Sequence, residues 1–329
     1  MNRRDFGRLS VIGLTSTLGC SLASRAIAQD GQEKFPDRPI RVLLGFPPGG
    51  STDTPMRVLT ANASKILGQP LVIETKPGAA GVLPAQILQS TKPDGYTLAV
   101  IPQGVFRLPY TTDISWNPAD LSFIIGVTGY VFGIVVPASS PIKSMSDYIA
   151  YAKAHPGELT YSTPGSVTTN HLTMEQISRV AGIKLTHVPY KGTGESLQAL
   201  LGGHVMSAAE TAGWQPYVES GKMRLLAVWG EKRMPRFPNV PTLKECGINI
   251  VQSSPWGIAA PKGTPSAIIA KLHAAFKQAM EEKNFRDALA QYDMEPMYMS
   301  PEQYRRFAIS AMAREKATLE QIGYKKNSG

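Results

Sequence analysis

Leu43-Leu44-Gly45-Phe46-Pro47-Pro48-Gly49-Gly50-Ser51-Thr52-Asp53 joins an apolar run, Ile40 to Leu44, to a segment over 56–67 whose apolar residues recur at helical spacing. The run reads as a buried strand and the segment as an amphipathic helix. Pro47 and Pro48 fix φ in the turn between them. Gly49 and Gly50 permit positive φ and leave no side chain over it. Ser51, Thr52 and Asp53 are all good N-cap residues. Such a turn aims free backbone N–H groups and the positive helix end at whatever lies above, and the natural guest is an anion. A capped turn with no ligand is the plainer alternative. The turn carries no Gly-Lys-Ser/Thr and no G-x-G-x-x-G, so the expected anion is a small one, such as a carboxylate, and not a nucleotide.

The same grammar extends outward. A strand over 71–74 leads through Lys76-Pro77-Gly78-Ala79-Ala80-Gly81 into a helix over 83–90. Pro93-Asp94-Gly95 is a turn signal, and Thr97–Ile101 is the next strand. Strand, turn, helix, strand predicts a parallel sheet with both glycine-rich turns at its ligand-binding edge. A strand over 131–136 and a helix over 146–154 follow, and then the grammar restarts. Strands are predicted over 159–162, 184–188, 205–208 and 225–228, and helices over 172–180 and 196–201, with turns at 163–171 and 192–195. Beyond Trp256-Gly257-Ile258-Ala259 come helical segments near 266–283, 284–292 and 301–322, with no further strand expected. The pattern predicts two lobes, residues 29–130 with 256–329 and residues 131–255, joined by crossovers near 128–131 and 253–257. A ligand held between the anion-binding turns of two lobes is the arrangement of a hinged binding protein.

The chain of 329 residues is 43% hydrophobic and 18% charged, enough for a full core in about two domains. No apolar run is long enough to span a membrane. Residues 1–28 read as an export leader: Arg3-Arg4-Asp5-Phe6, an apolar stretch to Leu22, and Ala26-Ile27-Ala28 as the cleavage site. The paired arginines suggest the twin-arginine route. Thr17-Leu18-Gly19-Cys20 is a poor lipobox, so cleavage after Ala28 is favoured over lipidation at Cys20. The leader holds four arginines and one aspartate, so its loss takes the net charge from +9 to +6. No basic run interleaved with aromatics argues for nucleic acid. Cys246 alone survives and makes no internal disulfide. No cofactor or metal is expected, since no His, Asp, Glu or Cys cluster has ligand spacing.

Phe35-Pro36-Asp37-Arg38-Pro39-Ile40, the loop 46–53, the turn 76–81 and Pro93-Asp94-Gly95-Tyr96-Thr97-Leu98 together resemble the Bug/TctC proteins, the periplasmic solute-binding subunits of tripartite tricarboxylate transporters. The resemblance continues through Leu185-Thr186-His187-Val188-Pro189-Tyr190-Lys191-Gly192, the run 221–228 and Pro238-Asn239-Val240-Pro241-Thr242. It implies a two-lobe, type-II periplasmic binding fold, each lobe a mixed, mostly parallel sheet flanked by helices, closing on a small carboxylate as a monomer. It places the carboxylate on Phe46, Gly49, Gly50, Ser51, Thr52 and Asp53, with Ala79 and Ala80 from the second turn. From the other lobe, Ser166, Thr168, Thr169 and Asn170 would close over it. Gln103, Arg107, Glu210 and Trp214 would line the remaining wall. Departures from the family pattern at 166–172, Glu210 and Phe106-Arg107 leave the ligand open.

Ser166 and His171 suggest a nucleophile pair, but the G-x-S-x-G elbow is absent. A helix-start histidine bonded to backbone is the favoured reading, and no enzyme activity is expected. Arg107 is a candidate partner for a second ligand carboxylate. Phe46 and Trp214 are candidates to sandwich a ligand body. Together they suggest an aliphatic or aromatic dicarboxylate such as terephthalate. The expected role is uptake through membrane subunits resembling TctA and TctB. The alternative is sensing, in which closure signals to a sensor-kinase ectodomain.

Overall fold

The computed structural model describes residues 35–326; the leader expected over 1–28 lies outside them. Strand β1 (Ile40–Leu44) enters the glycine-rich turn, and helix α1 (Asp53–Leu67) leaves it. The helix starts three residues before its apolar pattern, because Pro55 sits in the first turn, where a missing N–H costs nothing. It ends at Gly68, whose φ of 72° is left-handed and whose N–H bonds to the Ser64 carbonyl. β2 (Leu71–Thr75), α2 (Leu83–Ile87), β3 (Thr97–Ile101) and the short α3 (Leu108–Thr111) follow. β2 and β3 flank β1 in parallel, with Val42 opposite both Ile73 and Leu98.

β4 (Ser122–Tyr130) is a strand that the sequence pattern did not announce. Val131 alone separates it from β5 (Phe132–Pro137), which lies in the other sheet. The second lobe continues with α4 (Met145–Ala154), β6 (Thr160–Thr163), α5 (Thr169–Ala181), β7 (Thr186–Pro189) and α6 (Thr193–Leu201). It closes with β8 (Ser207–Thr211), α7 (Gln215–Glu219) and β9 (Met223–Val228). The chain then returns to the first sheet as β10 (Ser254–Ala260), α8 (Ser266–Glu281), α9 (Lys283–Ala290), β11 (Pro296–Met299) and α10 (Pro301–Gln321).

The sheet orders are β11-β4-β10-β3-β1-β2 and β7-β6-β8-β5-β9. The expectation of mostly parallel sheets needs correction. β10 runs antiparallel to β3 and β4, and β5 antiparallel to β8 and β9. β5 and β10 are the strands with which the chain enters each sheet from the other lobe, so no helical crossover forces them parallel. β11 is also unexpected. It is a short edge strand on β4, and Gly126 and Gly129 of β4 make room for it: a Cβ there would stand 2.6 Å from Met299 and 2.7 Å from Met297 side-chain atoms.

One buried aromatic row crosses between the lobes. Trp256 lies 6.0 Å from Tyr130, Tyr130 lies 6.2 Å from Phe132, and Phe132 stacks on Trp229 at 5.2 Å. The hinge is therefore part of the core, which favours rigid lobes moving about a narrow waist.

Candidate functional site

A cleft of about 1000 Å³ lies between the lobes. On the first lobe its wall begins at the turn after β1. Gly45 packs so tightly that an added Cβ would stand 2.2 Å from the Gly81 carbonyl oxygen, and the Phe46 ring covers Gly81. The two glycine-rich turns are thus interlocked. Asp53 folds back, accepting from the Gly49 N–H at 2.9 Å and from Arg57 Nε at 2.8 Å. Thr52 Oγ1 shares a 2.6 Å hydrogen bond with the Tyr130 hydroxyl. These side chains brace the turn, and the Thr54 N–H donates to the Gly50 carbonyl at 3.1 Å, which leaves the N–H groups of Ser51, Thr52 and Asp53 as the open donors at the start of α1, with Ser51 and Thr52 lining the cavity.

On the second lobe the N-termini of α5 and α6 reach the same cavity through Thr168, Thr169, Asn170, Gly192 and Thr193. Thr168 caps α5 by accepting the His171 N–H. Val167 has a φ of +57°, an unfavourable conformation for a β-branched residue. Both its polar backbone groups are held. Its N–H donates to His171 Nδ1 at 3.0 Å, and its carbonyl accepts from Arg107 Nη1 at 2.6 Å. His171 stacks on His187 with ring centres 4.0 Å apart. Burial lowers the pKa of both, that of His187 to about 3, so both are neutral near pH 7 and His171 Nδ1 is free to accept.

Arg107 is buried, and each of its three guanidinium nitrogens donates once. Its Nε donates to Glu315 Oε2 at 2.8 Å, its Nη1 to Val167, and its Nη2 to Thr169 Oγ1 at 3.1 Å. Gln103 Nε2 donates to the other oxygen of Glu315. One guanidinium therefore ties α10 of the first lobe to the α5 turn of the second. Ser51 Oγ and Thr211 Oγ1, 3.1 Å apart, make another contact between lobes. At a third, Arg236 Nε meets Asp293 Oδ1 at 3.2 Å and its Nη2 donates to the Ala290 carbonyl at 2.9 Å. The lobes are closed on each other.

The family model described as tripartite tricarboxylate transporter family receptor, TctC, matches residues 56–324. The chain belongs to the TctC family. It is 58% identical over 328 residues to the Cupriavidus necator "UPF0065 protein in gbd 5'region", covering 99% of each chain. Among solved structures it is similar to MatC from Rhodopseudomonas palustris with bound malate, with a TM-score of 0.80 and 28% identity over 87% of this chain and all of that one. It is similar also to R. palustris Rpa4515 with adipate, with a TM-score of 0.82 and 28% identity, covering 88% of this chain and 98% of that one.

In this TctC chain, Phe46, Gly49, Gly50, Ser51, Thr52, Ala80, Gln103, Arg107, Thr168, Thr169 and Asn170 line the cavity together. Five of the expected residues do not. Asp53 turns its carboxylate back onto the loop. Ala79 and Ser166 are exposed. Trp214 is fully buried, its Nε1 donating to the Glu210 carbonyl at 3.3 Å, and packs on Phe237 rather than on a ligand. Glu210 is wholly buried behind Thr211, and neither side-chain oxygen makes a well-formed hydrogen bond. Burial pushes its carboxyl up to about 8, partly offset by the Ser196 and Thr193 hydroxyls, so it is mostly neutral near pH 7 and does not repel an anion. Tyr130, Phe132, Arg236 and Tyr292 line the cavity unforeseen. Tyr130 and Phe132 flank the Val131 crossover, and hinge position was the one signal that could have found them. Among the described residues, no group of three or more His, Cys, Asp or Glu is placed to hold a metal, and no helix is long and apolar enough to cross a membrane.

Proposed function

We propose that the protein captures a small organic carboxylate in the periplasm, between its closing lobes, and delivers it to the membrane subunits of a tripartite tricarboxylate-type transporter. The observation that carries this reading is the convergence of three helix N-termini, those of α1, α5 and α6, on one cavity from opposite lobes. Each end offers unsatisfied N–H groups and roughly half a positive charge, so an anion between them is stabilised most when the lobes are shut. Contacts made to both lobes shift the open–closed equilibrium toward the closed form that the membrane subunits would recognise. The family membership and the malate and adipate complexes of its relatives support a carboxylate ligand. Binding without turnover is the function proposed, with export directed by a leader cleaved after Ala28.

A thermal-unfolding screen of the mature protein against mono-, di- and tricarboxylates, with sugars as controls, tests the reading. A carboxylate at about 100 times its Kd should stabilise the fold by about 2.7 kcal/mol. Stabilisation by sugars alone would reject it.

A further inference from the structure

We propose that Arg107 is a positioning residue for ligand capture: a latch that Glu315 sets in the first lobe and that, on closure, grips Val167 and Thr169 and so seats the start of α5 over the ligand. This deepens the carboxylate-capture reading and rests on it for the ligand, though not for the contact itself. The two halves of the latch stand in different lobes. α10 packs on β4 and on the turn that carries Arg107, so the 2.8 Å pair with Glu315 lies within the first lobe and survives opening. The other acceptors belong to the second lobe. Nη1 meets the Val167 carbonyl at 2.6 Å and Nη2 meets Thr169 Oγ1 at 3.1 Å, and these two bonds break as the lobes part.

The receiving turn is fixed within its own lobe. Asn170 Nδ2 donates to the Ala209 carbonyl of β8 at 3.0 Å, and Thr168 Oγ1 to the Gly165 carbonyl at 2.9 Å. His171 Nδ1 holds the Val167 N–H, and the Val167 carbonyl is the group presented to Arg107. The His171 N–H is spent on Thr168 Oγ1 and the Leu172 N–H on the Thr168 carbonyl, so the open donors of α5 are the N–H groups of Thr169 and Asn170. Thr169 therefore joins the two functions: it lines the cleft beside those donors and takes Arg107 on its hydroxyl. A bare cation at a helix N-terminus opposes the helix dipole. Glu315 offsets that charge and aims the planar fork, with each side chain of the pair only 4% exposed. When the lobes open, the two N–H groups return to water, so the bonds act as a shift of the open–closed equilibrium toward the closed form. That shift is the same for every ligand. Nη1 and Nη2 each keep a second N–H, so direct contact with the ligand is the competing role.

Arg107→Lys keeps a charge for Glu315, but a single ammonium does not reproduce the fork that spans Val167 and Thr169. Calorimetric titration and stopped-flow dissociation with butyrate, succinate, adipate, benzoate and terephthalate read the effect. Every ligand that binds the parent protein should bind Arg107→Lys about tenfold more weakly, by one common factor, with most of the change in faster dissociation. Thr169→Val removes one acceptor and leaves Arg107 and Glu315 in place. Its weakening should be smaller and should vanish in the Arg107→Lys background, because both substitutions act through the same bond. It serves alone, by the same common-factor criterion, if Arg107→Lys does not fold. Unchanged affinity would overturn the proposal. So would a factor that differs by more than about fivefold among ligands, the mark of direct contact, or additive effects of the two substitutions. Where no carboxylate binds the parent protein, the carboxylate reading fails and the latch is read without ligand. Spin labels at Lys65→Cys and Lys153→Cys, exposed positions on α1 and α4, in a Cys246→Ser background, then report the closed fraction by pulsed electron resonance. Arg107→Lys should lower that fraction, and an equal fraction in the two proteins would overturn the latch.

Discussion

Replacing Glu315 by alanine should destabilise the protein by about 3–5 kcal/mol, the cost of leaving a buried charge without its partner. Arg107 and Glu315 lie 208 residues apart in sequence and meet where both side chains are only 4% exposed. Without Glu315, the guanidinium keeps only the neutral acceptors Val167 O and Thr169 Oγ1, and Gln103 loses its acceptor as well. The loss extends past the pair. Arg107 also holds the carbonyl of Val167, whose positive φ needs surrounding contacts to persist. Chemical unfolding of Glu315→Ala, Arg107→Met and the double variant separates these effects. The double variant should recover much of the loss, because well-packed apolar residues can replace a buried pair at little cost. A loss below about 1 kcal/mol for Glu315→Ala would mean that the pair behaves as an exposed one.

Gly45→Ala should cost about 3 kcal/mol, at the upper end for overpacking, and weaken carboxylate binding at least tenfold. The added Cβ would stand 2.2 Å from the Gly81 oxygen and 2.6 Å from its carbonyl carbon. Those atoms are backbone and cannot rotate away, so the two turns must separate. Separation displaces Phe46 and the start of α1, where the carboxylate is taken. Gly50→Ala is the control. The nearest atom to its added Cβ is the Pro47 oxygen at 3.9 Å, and its stability should change by less than about 0.5 kcal/mol. Equal stability of Gly45→Ala and the parent protein would show that the interlock of the turns is dispensable.

The strand-turn-helix units were legible because each is local. A buried run, a glycine-rich turn and a helical period sit within about 25 residues of one another, and β1, α1 and β3 emerge where the pattern put them. β4 was hidden by its own glycines, which look like strand breakers in sequence. In the fold, Gly126 and Gly129 are the space that Met299 and Met297 of β11 fill. The first-lobe turn of the site was legible for the same local reason. The commitment of Arg107 was not, since nothing near Arg107 in sequence predicts a partner on the last helix. Glu210 was misplaced because every residue of β8 is buried, so strand alternation does not separate the cavity side from the core side, and Trp214, in the turn after β8, packs on Phe237, a contact that local sequence does not announce. Ser166 is exposed in a turn whose next residue, Val167, has a positive φ not expected of a β-branched residue, so the shape of that turn was not legible.

The central claim is that the turn after β1 takes a carboxylate through its backbone. It is tested most directly by following backbone amide resonances of isotope-labelled protein during titration with the best-binding carboxylate. The amides of Ser51, Thr52 and Asp53 should shift most, saturating together with those of Thr169 and Asn170 in the opposite lobe. Saturable binding that leaves Ser51, Thr52 and Asp53 unmoved would contradict capture at this turn.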